Sequence, residues 1–229
     1  MRYAIYFAPN EQSMLWRTGC RWLGRDPVSG SALDQPAVAG VPASAVQKLT
    51  ASPRRYGFHA TLKAPFTLVA GSDREQLFAR LAAFANGRKP IDLPKFEVKR
   101  LGGFLALCLS RPCAQLDALA AQCVEQFDTF RQPLTAAERA RRAEGLDTNQ
   151  LAFLDRWGYP YAMAQWRFHM TLTDATEDQT ADVLGDFLNG YFRAALGESI
   201  RVNDLCLYVE PEPGAEFRLA ARFPFSGSG

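Results

Sequence analysis

The sequence predicts an α+β protein in which short antiparallel strands are covered by helices. Three observations carry this expectation. Short alternating segments end at Gly, Pro or Asn turns; longer segments repeat apolar residues at helical spacing; and each half contains strand elements, a histidine strand, a long helix and a hairpin-like strand pair.

The elements follow in order. Arg2 to Phe7 alternates as a strand and stops at Pro9-Asn10. Glu11 to Leu23 places Met14, Leu15, Trp16, Trp22 and Leu23 as a short helix would. The Gly-, Pro- and Ser-rich run from Gly24 to Pro42 is a surface loop, a passive insertion or a lid by its length. Ala43 to Thr50 is one short helix before the first histidine segment. Ser72 and Glu75 form a capping box for a helix running to about Asn86, with Leu77, Leu81 and Phe84 on its apolar stripe and Gly87 as its stop.

Strands over Phe96 to Leu101 and Phe104 to Ser110 are joined by the Gly102-Gly103 turn. Ala114 to Phe130 is a second amphipathic helix, and Glu138 to Leu154 is helical with a solvated charged face. A long helix over Glu177 to Leu196 precedes two closing strands, Ile200 to Val209 and Phe217 to Phe225, and a frayed SGSG tail.

Composition removes several functions. The chain has 229 residues, 48% hydrophobic and 22% charged, which is enough for one large domain or two lobes and far from a disordered scaffold. A net charge of +2 leaves no broad basic surface for double-stranded DNA or an anionic membrane. Five scattered cysteines without a CxxC point to reduced thiols and a cytoplasmic setting. No secretory apolar run or long apolar span is present.

The two histidines of the chain both fall in the frame Phe-His-x-Thr-Leu: GFHATL around His59 and RFHMTL around His169. Such a frame arises by chance in roughly one chain per thousand of this size, and twice far more rarely. In a strand, His59, Thr61 and Lys63 share one face against Phe58, Ala60 and Leu62; His169, Thr171 and Thr173 share one against Phe168, Met170 and Leu172.

Each motif therefore offers an apolar face to a core and an imidazole with a hydroxyl to a site. One neutral imidazole and one imidazolium suit in-line displacement at a phosphodiester, with the threonine hydroxyls donating to the non-bridging oxygens. Zinc chemistry fits less well, because a third ligand is not indicated. A serine-hydrolase elbow, a Walker A loop and a dinucleotide glycine pattern are all missing from the sequence.

HAT at His59 to Thr61 and HMT at His169 to Thr171 resemble the two-histidine (2H) phosphoesterase superfamily. The longer stretches RRYGFHATLKAPF, RWGYPYAMAQWRFHMTLT and RYAIYFAP resemble its phosphonate-operon branch. The resemblance implies a single bilobal domain over 1–229, with pseudo-symmetric lobes of antiparallel strands at about 1–112 and 113–229, strands exchanged between them, around a central cleft. It also implies cofactor-free and metal-independent catalysis, with His59 and His169 as the acid/base pair and Thr61 and Thr171 as phosphate ligands.

Implied substrates are small cyclic phosphodiesters, of the 2′,3′-cyclic nucleotide or cyclic ribose phosphate type, including a phosphonate-pathway intermediate. Processing of short RNA ends, 2′-5′ ligation and non-catalytic phosphate-ester binding are the alternatives. The expected partner is a small phosphorylated substrate taken by a monomer.

Around the motifs, Lys63 and Arg167 lie on the histidine faces by alternation and are candidate phosphate ligands, as is Arg55. Tyr56, Tyr159 and Tyr161 are candidates to stack on a base or sugar, with packing as the other reading. Trp157 is expected in the core.

Overall fold

The computed structural model describes residues 1–227, so the end of the SGSG tail lies outside the described residues. Strands β1 (Arg2–Phe7), β2 (Ala60–Phe66), β4 (Phe96–Leu101), β5 (Phe104–Leu109), β6 (His169–Thr171), β8 (Asp204–Glu210) and β9 (Arg218–Pro224) form a seven-stranded sheet ordered β4-β5-β6-β2-β1-β8-β9. Every pairing in it is antiparallel. A separate ladder joins β3 (Ile91–Asp92) to β7 (Arg201–Val202). The α+β class is thus observed. Each side of the sheet draws on both halves of the chain: β6 completes β4 and β5, while β8 and β9 extend β1 and β2.

Helices α1 (Met14–Leu23) and α8 (Asp178–Phe192) cover the sheet behind the motifs. Phe58, fully buried, is wedged between Gly19 of α1 and Phe192 of α8, whose ring lies 6.2 Å away. Burying a ring of this size contributes about 2–3 kcal/mol. Helix α4 (Arg74–Ala85) packs on β9 through Phe78 and Phe223, and α5 (Ala114–Gln126) packs on β2.

Several boundaries differ from the sequence expectation. The box that opens α4 is Asp73 with Gln76, not Ser72 with Glu75: Gln76 N–H donates to Asp73 Oδ1 at 2.8 Å. A carboxylate at the positive end of the helix outcompetes a hydroxyl. The segment expected as one helix over Glu138 to Leu154 is two, α6 (Ala136–Ala143) and α7 (Thr148–Trp157). Gly145, at φ 72°, breaks them, and Asp147 caps the second. After α2 (Ala43–Leu49), residues Ala51–Tyr56 form a further helix, α3, so Arg55 and Tyr56 precede the strand rather than belong to it.

The loop from Gly24 to Pro42 is pinned from below. Buried Arg25 donates to the carbonyls of Arg54 (3.0 Å), Arg55 (3.0 Å) and Phe217 (2.8 Å), and Pro27 O accepts from Leu219 N–H. This arrangement is that of a passive insertion; the residues lining the cleft described below come from other segments.

A methyl at Gly19 would overlap the Phe58 ring. Gly19→Ala is therefore expected to destabilise the protein by about 1–3 kcal/mol despite higher helix propensity, because Phe58 has no free direction to move. Urea denaturation checks this; a stabilised variant would contradict the packing.

Candidate active site

The strands β2 and β6 meet at one antiparallel pair, Ala60 opposite Met170. That register sets His59 across from Thr171 and Thr61 across from His169, all on one face. Cross-strand neighbours in such a pair stand about 4.5–5.5 Å apart at Cβ, so the four side chains form a square. Behind it, Phe58, Ala60, Leu62, Phe168, Met170 and Leu172 are buried, as the alternation requires.

Two indoles fasten the junction. Buried Trp22 donates Nε1–H to Leu172 O at 2.8 Å, and Trp166 donates to Thr61 O at 2.8 Å. Each thus ties a motif strand from one half of the chain to an element of the other.

The imidazoles are held alike. His59 Nδ1 lies 2.8 Å from Gly57 O and His169 Nδ1 lies 2.9 Å from Arg167 O, each the carbonyl two residues earlier. A carbonyl only accepts, so Nδ1 carries the proton and Nε2 is left for chemistry in both rings. Thr61 Oγ1 lies 3.3 Å from His59 Nε2.

Tyr6 stacks on His59 with ring centroids 3.7 Å apart. Burial is the main cause that pushes His59 down to about 4, with the nearby His169 adding to it; burial also lowers His169. Both rings are consequently neutral at pH 7.

The square opens into a cleft of about 250 Å³, bounded by Tyr6, Tyr56 and Tyr159. A wider groove on the His169 side is lined by Phe104, Tyr159, Tyr161, Trp166 and Arg167. Tyr56 lies 6.3 Å from the His59 ring and stacks on Phe217; Tyr161 is exposed and meets Tyr159 edge-on at 5.6 Å. Arg167 is exposed beside His169, free to approach an anion.

Two candidates are engaged elsewhere. Lys63 is buried, and its Nζ donates to Val124 O at the end of α5 (3.2 Å) and pairs with Asp128 (3.3 Å). The carboxylate and the negative helix end account for an ammonium there, although burial still pulls it down to about 8. Arg55 is turned away from the cleft, donating to Glu210 and to Ala215 O. Thr173 is also buried, accepting from Leu105 N–H at 3.0 Å. Trp157, expected in the core, is half-buried beneath the Arg156 guanidinium.

Sequence reasoning missed Tyr6, Trp166 and Phe104. Tyr6 pairs across from Thr61, and Phe104 lies 5.8 Å from His169, but neither partner is visible without the sheet order. Among the described residues no three of His, Cys, Asp and Glu gather as a metal ion needs, all five cysteines are free, and no helix is long and apolar enough to cross a membrane.

A family model described as "Protein of unknown function (DUF1045)" matches residues 61–218, which takes in the second motif and begins at Thr61 of the first. The chain belongs to the DUF1045 family. Two curated relatives are both named "Ribose 1,5-bisphosphate phosphokinase PhnN". The Janthinobacterium sp. (strain Marseille) protein is 43% identical over 233 residues, covering 100% of this chain and 51% of its own length. The Laribacter hongkongensis (strain HLHK9) protein is 34% identical over 219 residues, covering 96% and 50%.

This DUF1045 chain thus spans about half the length of the curated relatives it matches. Among solved structures, a crystal structure of a phosphoesterase aligns with TM-score 0.41 at 13% identity, covering 98% of both chains. E. coli LigT complexed with 3′-AMP aligns with TM-score 0.41 at 15% identity, covering 98% of both.

Burial of neutral His59 couples the site to acid stability. Between pH 6.5 and about 4 the unfolded chain binds a proton that the folded chain refuses, so stability falls as pH drops through that window and is unaffected by this group above it. His59→Asn is expected to flatten the decline of Tm across that range. Parallel curves for the two proteins would show that His59 is not held neutral by burial.

Proposed function

We propose that this DUF1045 protein is a metal-independent phosphodiesterase that opens a small cyclic phosphodiester by paired histidine acid-base catalysis. The observation that carries the reading is the square of His59, Thr61, His169 and Thr171 on one open face, with both Nδ1 atoms held by backbone carbonyls and His59 Nε2 met within the square by Thr61 Oγ1. The motif resemblance to the two-histidine phosphoesterases supports it.

In this reading the phosphate sits over the square, with Thr61 and Thr171 donating hydrogen bonds to its non-bridging oxygens. His59, whose charged form burial disfavours strongly, is the base that takes a proton from water. The water oxygen bonds to phosphorus, the opposite ester bond breaks, and His169 passes its proton to the leaving alkoxide. The bound phosphate anion favours the imidazolium on the acid side. Arg167, Tyr56, Tyr159 and Tyr161 frame the remainder of the substrate.

The relatives' name supports a ribose phosphate as that remainder. This chain has no Walker A loop, so the reading takes from the name the class of compound, not the kinase reaction. Opening a cyclic ribose phosphate gives a ribose phosphomonoester, a member of the class on which a ribose phosphate kinase acts. The free thiols agree with a reducing, cytoplasmic setting.

His59→Ala and His169→Ala are each expected to lose about 10²–10⁴-fold in kcat on a ribose cyclic phosphate while retaining the wild-type circular dichroism spectrum. On a p-nitrophenyl phosphodiester, whose leaving group needs little protonation, His169→Ala should recover most of that loss and His59→Ala should not. Equal losses on both substrates would reverse or remove the assignment.

The kcat/KM profile should fall below about pH 4, as His59 gains a proton, and fall again above a value below 6.5, as His169 loses its proton. Activity should persist in EDTA; loss of rate with the fold intact would sink the metal-free route.

A further inference from the structure

A second concave surface adjoins the cleft and carries an unusual charge. It is a pocket of about 380 Å³ whose walls bring Arg2, Arg131 and Arg142 together from β1, the turn after α5 and α6, around Pro65 and Gly158.

 

The charge is poorly balanced there. Glu138 is the carboxylate in the wall, and it is turned into its own helix cap, accepting from Thr135 N–H (2.9 Å) and Oγ1–H (3.0 Å). Arg2 pairs with buried Glu210 through Nε and Nη2, the latter at 2.8 Å, and Arg55 reaches the same carboxylate. Arg131 pairs with Asp128, which Lys63 already shares. Arg142 donates from Nη1 to Gly158 O at 3.1 Å and has no carboxylate within ion-pair distance among the described residues. Each arginine is half-buried, so the walls hold guanidiniums fixed by their neighbours with donors left over.

The pocket is also continuous with the candidate active site. Pro65 belongs to both walls, and Gly158 directly precedes Tyr159 of the cleft. The Arg2 guanidinium lies 5.5 Å from the Phe217 ring, which stacks on Tyr56 beside His59. Along β1, Tyr6, stacked on His59, and Arg2, in the wall of this pocket, are four residues apart, roughly 13 Å at the rise of a strand. That span is of the order of one sugar with its substituents.

We propose that Arg2, Arg131 and Arg142 form a subsite for a second phosphate of the substrate, so that the preferred compound is a cyclic phosphodiester of a sugar bearing a further phosphate group. Fixed guanidinium forks match phosphate oxygens and reject neutral substituents. The proposal rests on the phosphodiesterase reading for the reacting phosphate, but the pocket's affinity for an anion does not.

Two measurements separate these. The first compares kcat/KM for a ribose cyclic phosphate with and without a 5-phosphate, in wild type, Arg142→Gln and Arg142→Lys. The 5-phosphorylated compound should be preferred at least about tenfold, with the preference falling about tenfold in Arg142→Gln, mainly through KM, and largely kept in Arg142→Lys. The second is calorimetric binding of ribose 5-phosphate to wild type, to Arg142→Gln and to the His59→Ala/His169→Ala double variant. Binding should survive loss of the histidines and weaken about tenfold in Arg142→Gln. Turnover without any 5-phosphate preference overturns the subsite and leaves the phosphodiesterase reading standing. Arginine-dependent binding with no turnover of any cyclic phosphate supports the subsite and overturns the reading.

Discussion

A single backbone pairing, Ala60 with Met170, joins the two sides of the sheet, and the rest of the candidate site depends on it. Slipping the first motif by one residue against the second would turn the His59 imidazole into the core and bring Phe58, Ala60 and Leu62 to the surface. One pair of residues is too little to hold such a register. The reinforcement comes from side chains: Trp22 bonds the carbonyl just after the second motif, Trp166 bonds the carbonyl of Thr61, and Phe58 is clamped between two helices. Because each indole comes from the opposite half of the chain to the strand it holds, neither side can drift alone.

The same junction explains the electrostatics. Burial of the two rings, with Tyr6 packed against His59, disfavours the imidazolium and outweighs the carbonyl bonds at Nδ1, which by themselves favour it. The fixed cations stand farther out, each tied to a carboxylate or a carbonyl: Lys63 with Asp128, Arg55 and Arg2 with Glu210, Arg142 with Gly158 O. Burial pushes the Glu210 carboxyl up, and the guanidiniums around it more than offset that, holding it below the usual range. A site built this way leaves the proton inventory of the histidines to respond to an arriving anion instead of to a permanent neighbouring charge.

Much of this was legible in the sequence, because strand alternation is a local rule. It separates His59 and Thr61 from Phe58 and Leu62, and it does the same around His169, without knowledge of any partner. The hairpin at Gly102-Gly103 and the first strand are local in the same sense. Lys63 shows where the rule stops: alternation gives its face, but the end of α5 covers that face and claims the ammonium. Arg55 failed for another reason, since Gly57 at φ 81° marks the exit of a short helix rather than the interior of a strand. Tyr6 and Trp166 were hidden because their roles exist only once strands far apart in sequence are neighbours.

The arginines illustrate the limit most sharply. Arg2 lies more than a hundred residues of chain from Arg131 and Arg142, and all three sit in a sequence whose net charge is only +2, so composition averages them away. They converge because β1 runs beside β2, because the turn after α5 passes the far end of β2, and because α6 follows that turn. The sheet sets the distance from the square to Arg2, while Asp128 and Gly158 O hold Arg131 and Arg142 against it. A phosphate reader placed at a fixed rise from an acid-base pair acts as a ruler, and discrimination among cyclic phosphates then follows from backbone geometry rather than from any one contact.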